Sequence, residues 1–271
     1  MGRPLYALTI GVGQKSVFFN GAHHANEWIT GLLILRYLEK YAESCLTGGS
    51  IGGESAEMLF KESTLHIVPV VNPDGVDLVT GNLTSGKFYT EAVSIAKKYP
   101  NIPFPDGWKA NIAGTDLNLQ YPAGWENARA VKFAQGYTSP APRDYVGVSP
   151  LSAPESAAVY EYTRRNDFAL TLSYHTQGEV IYPRYLDYSP PCTDSIGAVL
   201  SEKSGYTLEA TPSASGYAGY KDWFIYEYYR PSYTVEAGRG VNPLPIVQFD
   251  EIYRKNEGLM TSAQLLRGCE R

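Results

Sequence analysis

His24 and Glu27 stand three residues apart at a junction between two local sequence patterns. The run 17–19 is apolar and typical of a buried strand, and Trp28 opens a run with the apolar spacing of a helix. An imidazole and a carboxylate at such a junction can point at one position, and both are donors that zinc accepts. The alternative is a structural histidine beside a glutamate that the helix dipole favours. The pair suggests a metal site without deciding it.

A third metal ligand is predicted at His175. The apolar run 168–174 is typical of a buried strand, and His175 follows it directly. In open α/β sheets, ligands bind outside the carboxyl ends of the strands. His66 falls inside an apolar run and is predicted to be structural. His23 is predicted to point away from His24, because neighbours in extended backbone alternate in direction.

A set of three protein ligands leaves one position on zinc for water, whose pKa zinc lowers to roughly 7. Hydrolysis then requires a base. Glu236 ends the strand-like run 233–236, and a carboxylate there can take the proton of the water and pass it to a leaving amine. Glu179 is the competing candidate, and an ordinary solvated glutamate is the alternative interpretation of Glu236.

Strand-like and helix-like segments alternate along the whole chain, which predicts an α/β fold. We expect a single domain over 1–271, with a mixed, mostly parallel β-sheet sandwiched between helices. The predicted strands are 5–10, 17–19, 65–71, 168–174, 180–182 and 233–236, and the predicted helices are 28–41, 154–165, 194–204 and 249–266. The run 219–229 is an aromatic helix or loop. The segment 99–124, rich in Pro, Gly and Asn, is predicted to be a functional surface rather than a connection.

Composition excludes several classes of partner. The chain has 271 residues, 44% hydrophobic and 19% charged, as expected of a globular protein. Its net charge of -5 argues against nucleic acid or an anionic membrane surface as a partner. The 22 tyrosines suit a groove that handles polar or peptide ligands. No obligate protein partner is evident.

The cysteines and the first residues bear on the compartment. Cys45, Cys192 and Cys269 cannot all pair within one chain and show no CxxC spacing, so we predict free thiols. No apolar run is long enough to span a bilayer, and residues 1–4 begin no signal peptide. The expectation by default is a cytoplasmic protein, although a trimmed N-terminus would look the same and would allow an extracellular one.

Six motifs, taken together and in order, resemble those of the zinc carboxypeptidase family. The family has HxxEW, Asn-Pro-Asp-Gly, Trp-basic-x-Asn, Gly-x-Asp-x-Asn, a histidine at a strand end and a late strand that ends in glutamate. The counterparts in this chain are 24–28, 72–75, 108–111, 114–118, His175 and Glu236. The resemblance spans nearly the whole chain and implies one bound zinc ion. Relatives usually have a helix and a strand before the segment that matches 2–8, where this chain starts.

The resemblance also implies roles for three residues of the central segment. Asp116 matches a carboxylate that orients the first zinc histidine. Lys109 stands where the family has an arginine that polarises the scissile carbonyl and steadies the oxyanion, although lysine lacks the planar guanidinium fork. Asn118 matches a substrate-binding asparagine.

Leu119 departs from the family pattern. An arginine that grips the terminal carboxylate of the substrate usually follows the asparagine, and leucine cannot form that clamp. Three segments instead resemble in sequence the bacterial branch of γ-D-glutamyl-meso-diaminopimelate peptidases, which cut peptidoglycan stem peptides. These segments are 108–125, 174–179 and 236–245. That branch implies cations along the groove, for which Lys221, on the leaving-group side, and Arg239 are the candidates. It also implies a mobile tyrosine, taken here as Tyr217 with Tyr220 as the alternative.

The function predicted from the sequence is hydrolysis of the γ-D-glutamyl-diaminopimelate amide by zinc-bound water. Glu236 would deprotonate the water and later protonate the departing amine, while zinc and Lys109 hold the oxyanion. Three alternatives remain: a conventional carboxypeptidase, a zinc deacylase of small N-acyl amino acids, and a non-catalytic cell-wall binding protein.

Overall fold

A seven-stranded sheet forms the centre of the molecule. The computed structural model describes residues 1–269. The sheet contains β1 (Leu8–Ile10), β2 (Lys15–Gly21), β5 (Ser63–Val68), β6 (Leu170–His175), β7 (Val180–Tyr182), β8 (Thr207–Leu208) and β9 (Ser232–Glu236). Their spatial order is β1-β5-β2-β6-β9-β7-β8. The three central pairs and the β7/β8 pair are parallel, and β1/β5 and β7/β9 are antiparallel. This arrangement confirms the predicted mixed, mostly parallel sheet.

Helices cover both faces of the sheet. They are α1 (Ile29–Thr47), α2 (Ala56–Glu62), α3 (Pro73–Val79), α4 (Gly86–Ala96), α5 (Trp125–Ala134), α6 (Pro154–Arg164), α7 (Thr193–Ser204), α8 (Tyr220–Tyr228) and α9 (Phe249–Leu265). A short hairpin, β3 (Ser50–Ile51) with β4 (Glu54–Ser55), follows α1. Short 3-10 turns span Ala25–Glu27, Leu117–Leu119, Ser213–Ser215 and Ile246–Gln248.

The alternation of side chains along β2 divides the core between the two faces. Val17 and Phe19 pack with residues of α1, α7 and α9, whereas Phe18 packs with residues of α6 and α8. All three side chains are fully buried. A strand buried on both faces is typical of parallel sheets and explains its continuous apolar run.

The parallel strands β2, β6 and β9 end at the same edge of the sheet. Parallel pairing sets His175 of β6 directly beside Glu236 of β9, as Cα partners in the last register position. At the same edge, β2 runs through Gly21 into the turn that carries Glu27. The strand ends therefore bring together residues that are far apart in the sequence.

The central loop 99–124 is held against this edge by buried polar contacts. The Asn72 side chain donates hydrogen bonds to the carbonyls of His23 (3.1 Å) and Ala110 (2.9 Å). Its Oδ1 accepts the N–H of Gly75, so the predicted turn 72–75 is also the capped start of α3. Trp108 is fully buried and donates from Nε1 to the Asn111 carbonyl at 3.1 Å. These contacts tie the loop to the end of β2.

Four helices were not predicted from the sequence, and one predicted strand has a different partner and direction in the sheet. α2, α3, α4 and α5 were not predicted; α4, for example, buries only Ala92. The run 180–182 was expected to extend the strand before it. It is instead a separate strand that pairs antiparallel with β9, since the chain turns at Gly178, whose φ is 145°.

The prediction that all the cysteines are free thiols is wrong for Cys192 and Cys269. They form a disulfide with Cα atoms 5.3 Å apart, and Cys45 is free. The two cysteines are 77 positions apart, and only the packing of α9 on α7 brings them together. No local spacing pattern signals such a pair.

None of the helices in residues 1–269 combines the length and apolar character needed to cross a bilayer.

The disulfide predicts a measurable loss of stability in Cys269→Ser. The free energy of unfolding, from urea denaturation without reductant, should fall by about 2–5 kcal/mol, because the unfolded chain is released from a long closed loop. Cys45→Ser serves as the control and should unfold like the wild type. Equal stability of the wild type and Cys269→Ser in the absence of reductant would contradict the disulfide.

Candidate metal centre and groove

Two imidazoles and one carboxylate converge at the carboxyl edge of the sheet. His24 Nδ1 lies 3.0 Å from Glu27 Oε1, and His175 Nδ1 lies 2.8 Å from Glu27 Oε2. The two Nδ1 atoms are 3.2 Å apart. One donor atom from each of the three residues falls within 4.8 Å of the others, close enough to hold a metal ion. Two His nitrogens and one Glu oxygen form a known donor set of catalytic zinc, so the residues present fit that metal.

Local backbone structure positions each of these donors. His24 precedes the 3-10 turn Ala25–Glu27 in an extended conformation, and the turn presents Glu27 on the same side. The N–H of Ala25 donates to the Lys109 carbonyl at 3.0 Å, which ties this turn to the central loop. His175 is the last residue of β6. All three side chains are therefore placed by backbone that is itself hydrogen-bonded.

Asp116 fixes the orientation of the His24 ring. His24 Nε2 donates to Asp116 Oδ1 at 3.1 Å, which leaves Nδ1 facing the other ligands. The carboxylate also accepts the backbone N–H groups of Asn118 (3.2 Å) and Asp144 (3.1 Å). Burial opposes ionisation, but the charge and hydrogen bond of His24 lower the pKa of Asp116. Asp116 therefore stays an acceptor at neutral pH.

The buried charges at the centre perturb each other strongly. Burial alone would lower the pKa of His24, but Glu27 and Asp116 raise it to about 9. Burial alone would raise the pKa of Glu27, but His24, Lys109 and His175 lower it well below its usual value. Burial lowers the pKa of His175. Glu27 is therefore ionised, and its negative charge stabilises a positive charge beside it, as a cation site requires.

Lys109 and Glu236 stand at the edge of the same cluster. The Lys109 ammonium lies 2.8 Å from Glu27 Oε1, and although burial opposes it, this carboxylate raises the pKa of Lys109. Burial and then repulsion from Glu27 raise the pKa of Glu236 to about 8. The protonation state of Glu236 therefore depends on the charge of the cluster beside it.

The cluster opens into a groove made of three adjoining cavities. The central cavity, about 180 Å³, is lined by His24, His175, Asn118, Lys221 and Glu236 among others. A cavity of about 840 Å³ adjoins it on one side and shares Lys109, Tyr182 and Glu236. A cavity of about 490 Å³ adjoins it on the other side and shares Thr211 and Asp222. Glu236 therefore lies where the central cavity meets the 840 Å³ cavity.

Asn118 and Lys221, both expected to bind substrate, line the central cavity. Asn118 Nδ2 lies 3.4 Å from His175 Nε2, and its Oδ1 accepts the N–H of Tyr220 at 3.0 Å. The Lys221 ammonium is buried, lies 2.6 Å from Asp222 Oδ1 and donates to the Arg184 carbonyl. Both residues are therefore held in place before any ligand arrives.

Tyr217 and its neighbours lie beside the central cavity. Tyr217 lines the 490 Å³ cavity and covers Gly124, where even an added Cβ atom would come within 2.7 Å of its ring. Tyr220, the alternative, is fully buried and pairs with the Thr163 hydroxyl at 2.9 Å. Leu119 packs in an apolar cluster with Tyr217.

Arg239 and Glu179 pair with each other outside the three cavities. Arg239 Nη2 lies 2.7 Å from Glu179 Oε2, and the Arg239 side chain is 76% exposed. Lys255 holds the other Glu179 oxygen at 2.5 Å. Glu179 is thus neutralised by two cations, and the structure places Glu236, not Glu179, beside the metal ligands.

The other two histidines have ordinary partners. His66 Nδ1 lies 2.7 Å from the Tyr162 hydroxyl, and the buried His23 Nε2 lies 2.9 Å from the Tyr121 hydroxyl. Neither belongs to the convergent group of His24, Glu27 and His175.

Asn242 and Arg143 belong to the site but were not singled out from the sequence. Asn242 Nδ2 donates to the Thr176 carbonyl at 2.9 Å, and the N–H of Thr176 donates to Glu27 Oε2 at 3.3 Å, so this pair supports the carboxylate. Arg143 lines the 840 Å³ cavity. The only sequence signal for it is an adjacent pair of opposite charges after a Pro-rich run, and such pairs are common on surfaces.

Curated relatives share most of this chain. A γ-D-glutamyl-L-diamino acid endopeptidase of Lysinibacillus sphaericus is 41% identical over 98% of the chain and 65% of its own length. An uncharacterized protein of Bacillus subtilis, YqgT, is 39% identical over 97% of the chain and 69% of its own length. The chain thus spans about two-thirds of the length of these relatives.

Solved structures show the same fold. Thrombin-activatable fibrinolysis inhibitor superposes with a TM-score of 0.68 at 20% identity, covering 97% of this chain and 65% of that one. Murein-tripeptide amidase of Escherichia coli O157 superposes with a TM-score of 0.58 at 19% identity, covering 100% of this chain and 89% of that one.

A family model described as zinc carboxypeptidase matches residues 1–257. Zinc is the metal of that family, and the His-Glu-His group offers donors that suit it. The long match, the relatives and the fold agree, and the chain belongs to the zinc carboxypeptidase family.

Proposed function

We propose that this chain is a zinc metallopeptidase that hydrolyses the bond between γ-D-glutamate and meso-diaminopimelate in peptidoglycan stem peptides. The observation that carries the proposal is that His24 and His175 of the His-Glu-His group line one cavity with Glu236, and that this cavity adjoins two others. The two adjoining cavities offer room for substrate residues on either side of the scissile bond. The 41% identical relative bears the name of this activity.

His24, Glu27 and His175 are proposed to hold the zinc ion. Bound zinc supplies a Lewis acid that lowers the pKa of water to roughly 7 and polarises a carbonyl group. Glu27 also makes an ion pair with Lys109 and contacts both imidazole rings. Metal binding requires both imidazoles to be neutral, so His24 must release the proton that its raised pKa favours.

Glu236 is proposed to move the protons of the reaction. It accepts a proton from the attacking water and donates it to the departing amine. A carboxyl group with a pKa near 8 holds a proton too firmly to be an efficient base at neutral pH, and a divalent cation nearby lowers that pKa. Base strength and metal binding are therefore coupled at this site.

Lys109 is proposed to stabilise the oxyanion that develops on the scissile carbonyl. Its ammonium is largely buried, so its charge is weakly screened by solvent. The pair with Glu27 holds the ammonium at the junction of the central and 840 Å³ cavities. Lys109 and Glu236 line both of these cavities. A fixed cation at this place needs little reorganisation as charge develops.

Two features separate the proposed substrate from that of a conventional carboxypeptidase. Leu119 lies in an apolar cluster and provides no clamp for a terminal carboxylate. On the leaving-group side, the buried Lys221 presents a cation with Asp222 next to it. A cation and an anion side by side suit the zwitterionic end of diaminopimelate, which carries a carboxylate and an amine.

We further propose that the protein works in an oxidising compartment, outside the cytoplasm. Disulfides such as Cys192–Cys269 persist there and are rare in the reducing cytosol. This replaces the cytoplasmic expectation drawn from the sequence, and it places the chain near its proposed substrate.

Cleavage of L-Ala-γ-D-Glu-meso-diaminopimelate by the zinc-loaded protein tests the proposed function. Mass spectrometry should detect free diaminopimelate and L-Ala-D-Glu, because hydrolysis occurs at the γ-amide. An ordinary peptide with a free C-terminus is the matched control and should be cut at least about 10-fold more slowly, since no bidentate carboxylate clamp is present. Trimming of the ordinary peptide alone would make the protein a conventional carboxypeptidase, and cleavage of neither would support the binding-protein alternative.

Glu236→Gln should keep zinc and lose activity. The amide is nearly isosteric but cannot accept the proton, so kcat should fall by about 10²- to 10⁴-fold or more. Zinc content, measured by mass spectrometry after dialysis, should remain near one ion per chain. His175→Ala should lose zinc and, as a consequence, activity. His66→Ala should keep both zinc and activity. Full turnover by Glu236→Gln would exclude its role as the base.

Asp116→Ala should weaken zinc binding although Asp116 is not a proposed ligand. Without the carboxylate, neither the orientation nor the tautomer of the His24 ring is fixed. Such changes lower metal affinity by about 10- to 100-fold. Competition with a chelator measures the affinity directly. Asp116→Asn keeps an acceptor at the same position and should lose less. An unchanged affinity in Asp116→Ala would show that the hydrogen bond at 3.1 Å has no orienting role.

A further inference from the structure

Arg143 lines the 840 Å³ cavity, whereas Lys221 lines the central cavity, and Glu236 lines both. If Lys221 faces the leaving group, this cavity receives the acyl side of the substrate. Arg143, Lys109 and Glu236 line it together. A cation therefore stands in the groove beyond the catalytic group, where the proposed mechanism makes no use of it.

The backbone around Arg143 is built into the site. The Pro142 carbonyl accepts the N–H groups of Lys109 (2.8 Å) and Ala110 (2.9 Å). On the other side, the N–H of Asp144 donates to Asp116, the partner of His24. The segment that carries Arg143 is thus fixed to the two elements that define the catalytic centre.

The guanidinium group of Arg143 is held through Nε, and in the described part of the chain its two Nη groups remain available to a ligand. Nε donates to Asp144 Oδ2 at 2.6 Å, and the buried Lys132 holds the other Asp144 oxygen at 2.6 Å. Within residues 1–269, neither Nη group of Arg143 makes a hydrogen bond, and the side chain is 41% exposed. A guanidinium fixed in this way presents two donors to a ligand with little loss of entropy.

A carboxylate is the ligand that this arrangement fits. Of the two cations that line the cavity, Lys109 is paired with Glu27 and already assigned to the oxyanion, so Arg143 is the one that the proposed mechanism leaves unused. In a γ-linked D-glutamyl substrate, the α-carboxylate is free and lies on the acyl side, at the far end of the same glutamate. In an α-linked glutamyl peptide, the α-carboxyl group forms the scissile amide and the free carboxylate is the one on the side chain, in a different position relative to the scissile bond.

We propose that Arg143 binds the free α-carboxylate of the D-glutamyl residue and so selects γ-linked over α-linked substrates. The proposal rests on the function proposed above and makes Arg143 a specificity residue rather than a participant in proton transfer. A guanidinium–carboxylate pair also orients the glutamate, so that its γ-carbonyl faces the metal site.

The test compares two substrates in two proteins. The substrates are L-Ala-γ-D-Glu-meso-diaminopimelate and the same tripeptide with the glutamate α-carboxyl group converted to an amide. The wild type should cleave the free acid with a kcat/KM about 10- to 100-fold higher, because the charge-assisted hydrogen bonds are lost with the amide. Arg143→Gln should cleave both at similar rates, and Arg143→Lys should keep part of the preference.

Substrate preference separates binding from a structural role. If Arg143 only supported Asp144 and Asp116, Arg143→Gln would slow both substrates equally and keep the wild-type preference, which would overturn the proposal. A wild type that cleaves acid and amide equally would also overturn it, while leaving the peptidase function intact. Cleavage of neither substrate by the wild type would refute the proposed function itself. Arg36→Gln, at a half-exposed arginine of α1 paired with Glu39, is the matched control and should retain the preference.

Discussion

The buried carboxylate of Glu27 is the interaction on which the rest of the site depends. It is only 1% exposed and lies within 3.0 Å of a His24 nitrogen, a His175 nitrogen and the Lys109 ammonium. A charge in such a place is tolerated only when it is paired and hydrogen-bonded. The fold meets this requirement with donors from one turn, one strand end and one loop. A bound cation meets the same requirement, which is why the cluster is suited to metal.

Glu27 also sets the electrostatics of Glu236. Repulsion between the two carboxylates adds to burial and raises the pKa of Glu236. A bound divalent cation compensates the charge of Glu27 and so removes the contribution of this repulsion to the pKa of Glu236. The same carboxylate therefore serves as a proposed ligand and as a regulator of the proposed base. The coupling arises because β6 and β9 pair in parallel and set His175 beside Glu236.

The charged residues around the groove differ in whether they remain available to a ligand. Glu179 is bound by Lys255 and Arg239, so these three charged side chains are paired with each other outside the three cavities of the groove. Lys221 is held by Asp222 within the central cavity. Arg143 lines the groove, and within residues 1–269 its side chain makes a hydrogen bond through Nε alone. The charge of a side chain therefore does not show whether it can bind a ligand. That depends on which of its donors or acceptors are already paired within the protein.

The sequence by itself determined the fold class, the main strands and the family. Apolar runs ending in His175 and Glu236 are local patterns, and parallel strands necessarily bring such ends to one edge of a sheet. The types and spacing of His24 and Glu27 specify donor chemistry, which is also local. The four missed helices are 7 to 11 residues long, and so short a run offers only two or three turns in which a helical period can be recognised.

Only the tertiary structure decided which distant groups meet. It joined Cys192 to Cys269, paired Arg239 with Glu179 and turned Arg143 into the groove. Each of these contacts links residues through the packing of separate elements or the path of a loop, and no pattern along the chain records that packing. Periodicity shows which face of an element is buried, whereas the partner of a charged or reactive side chain depends on what the fold brings against it.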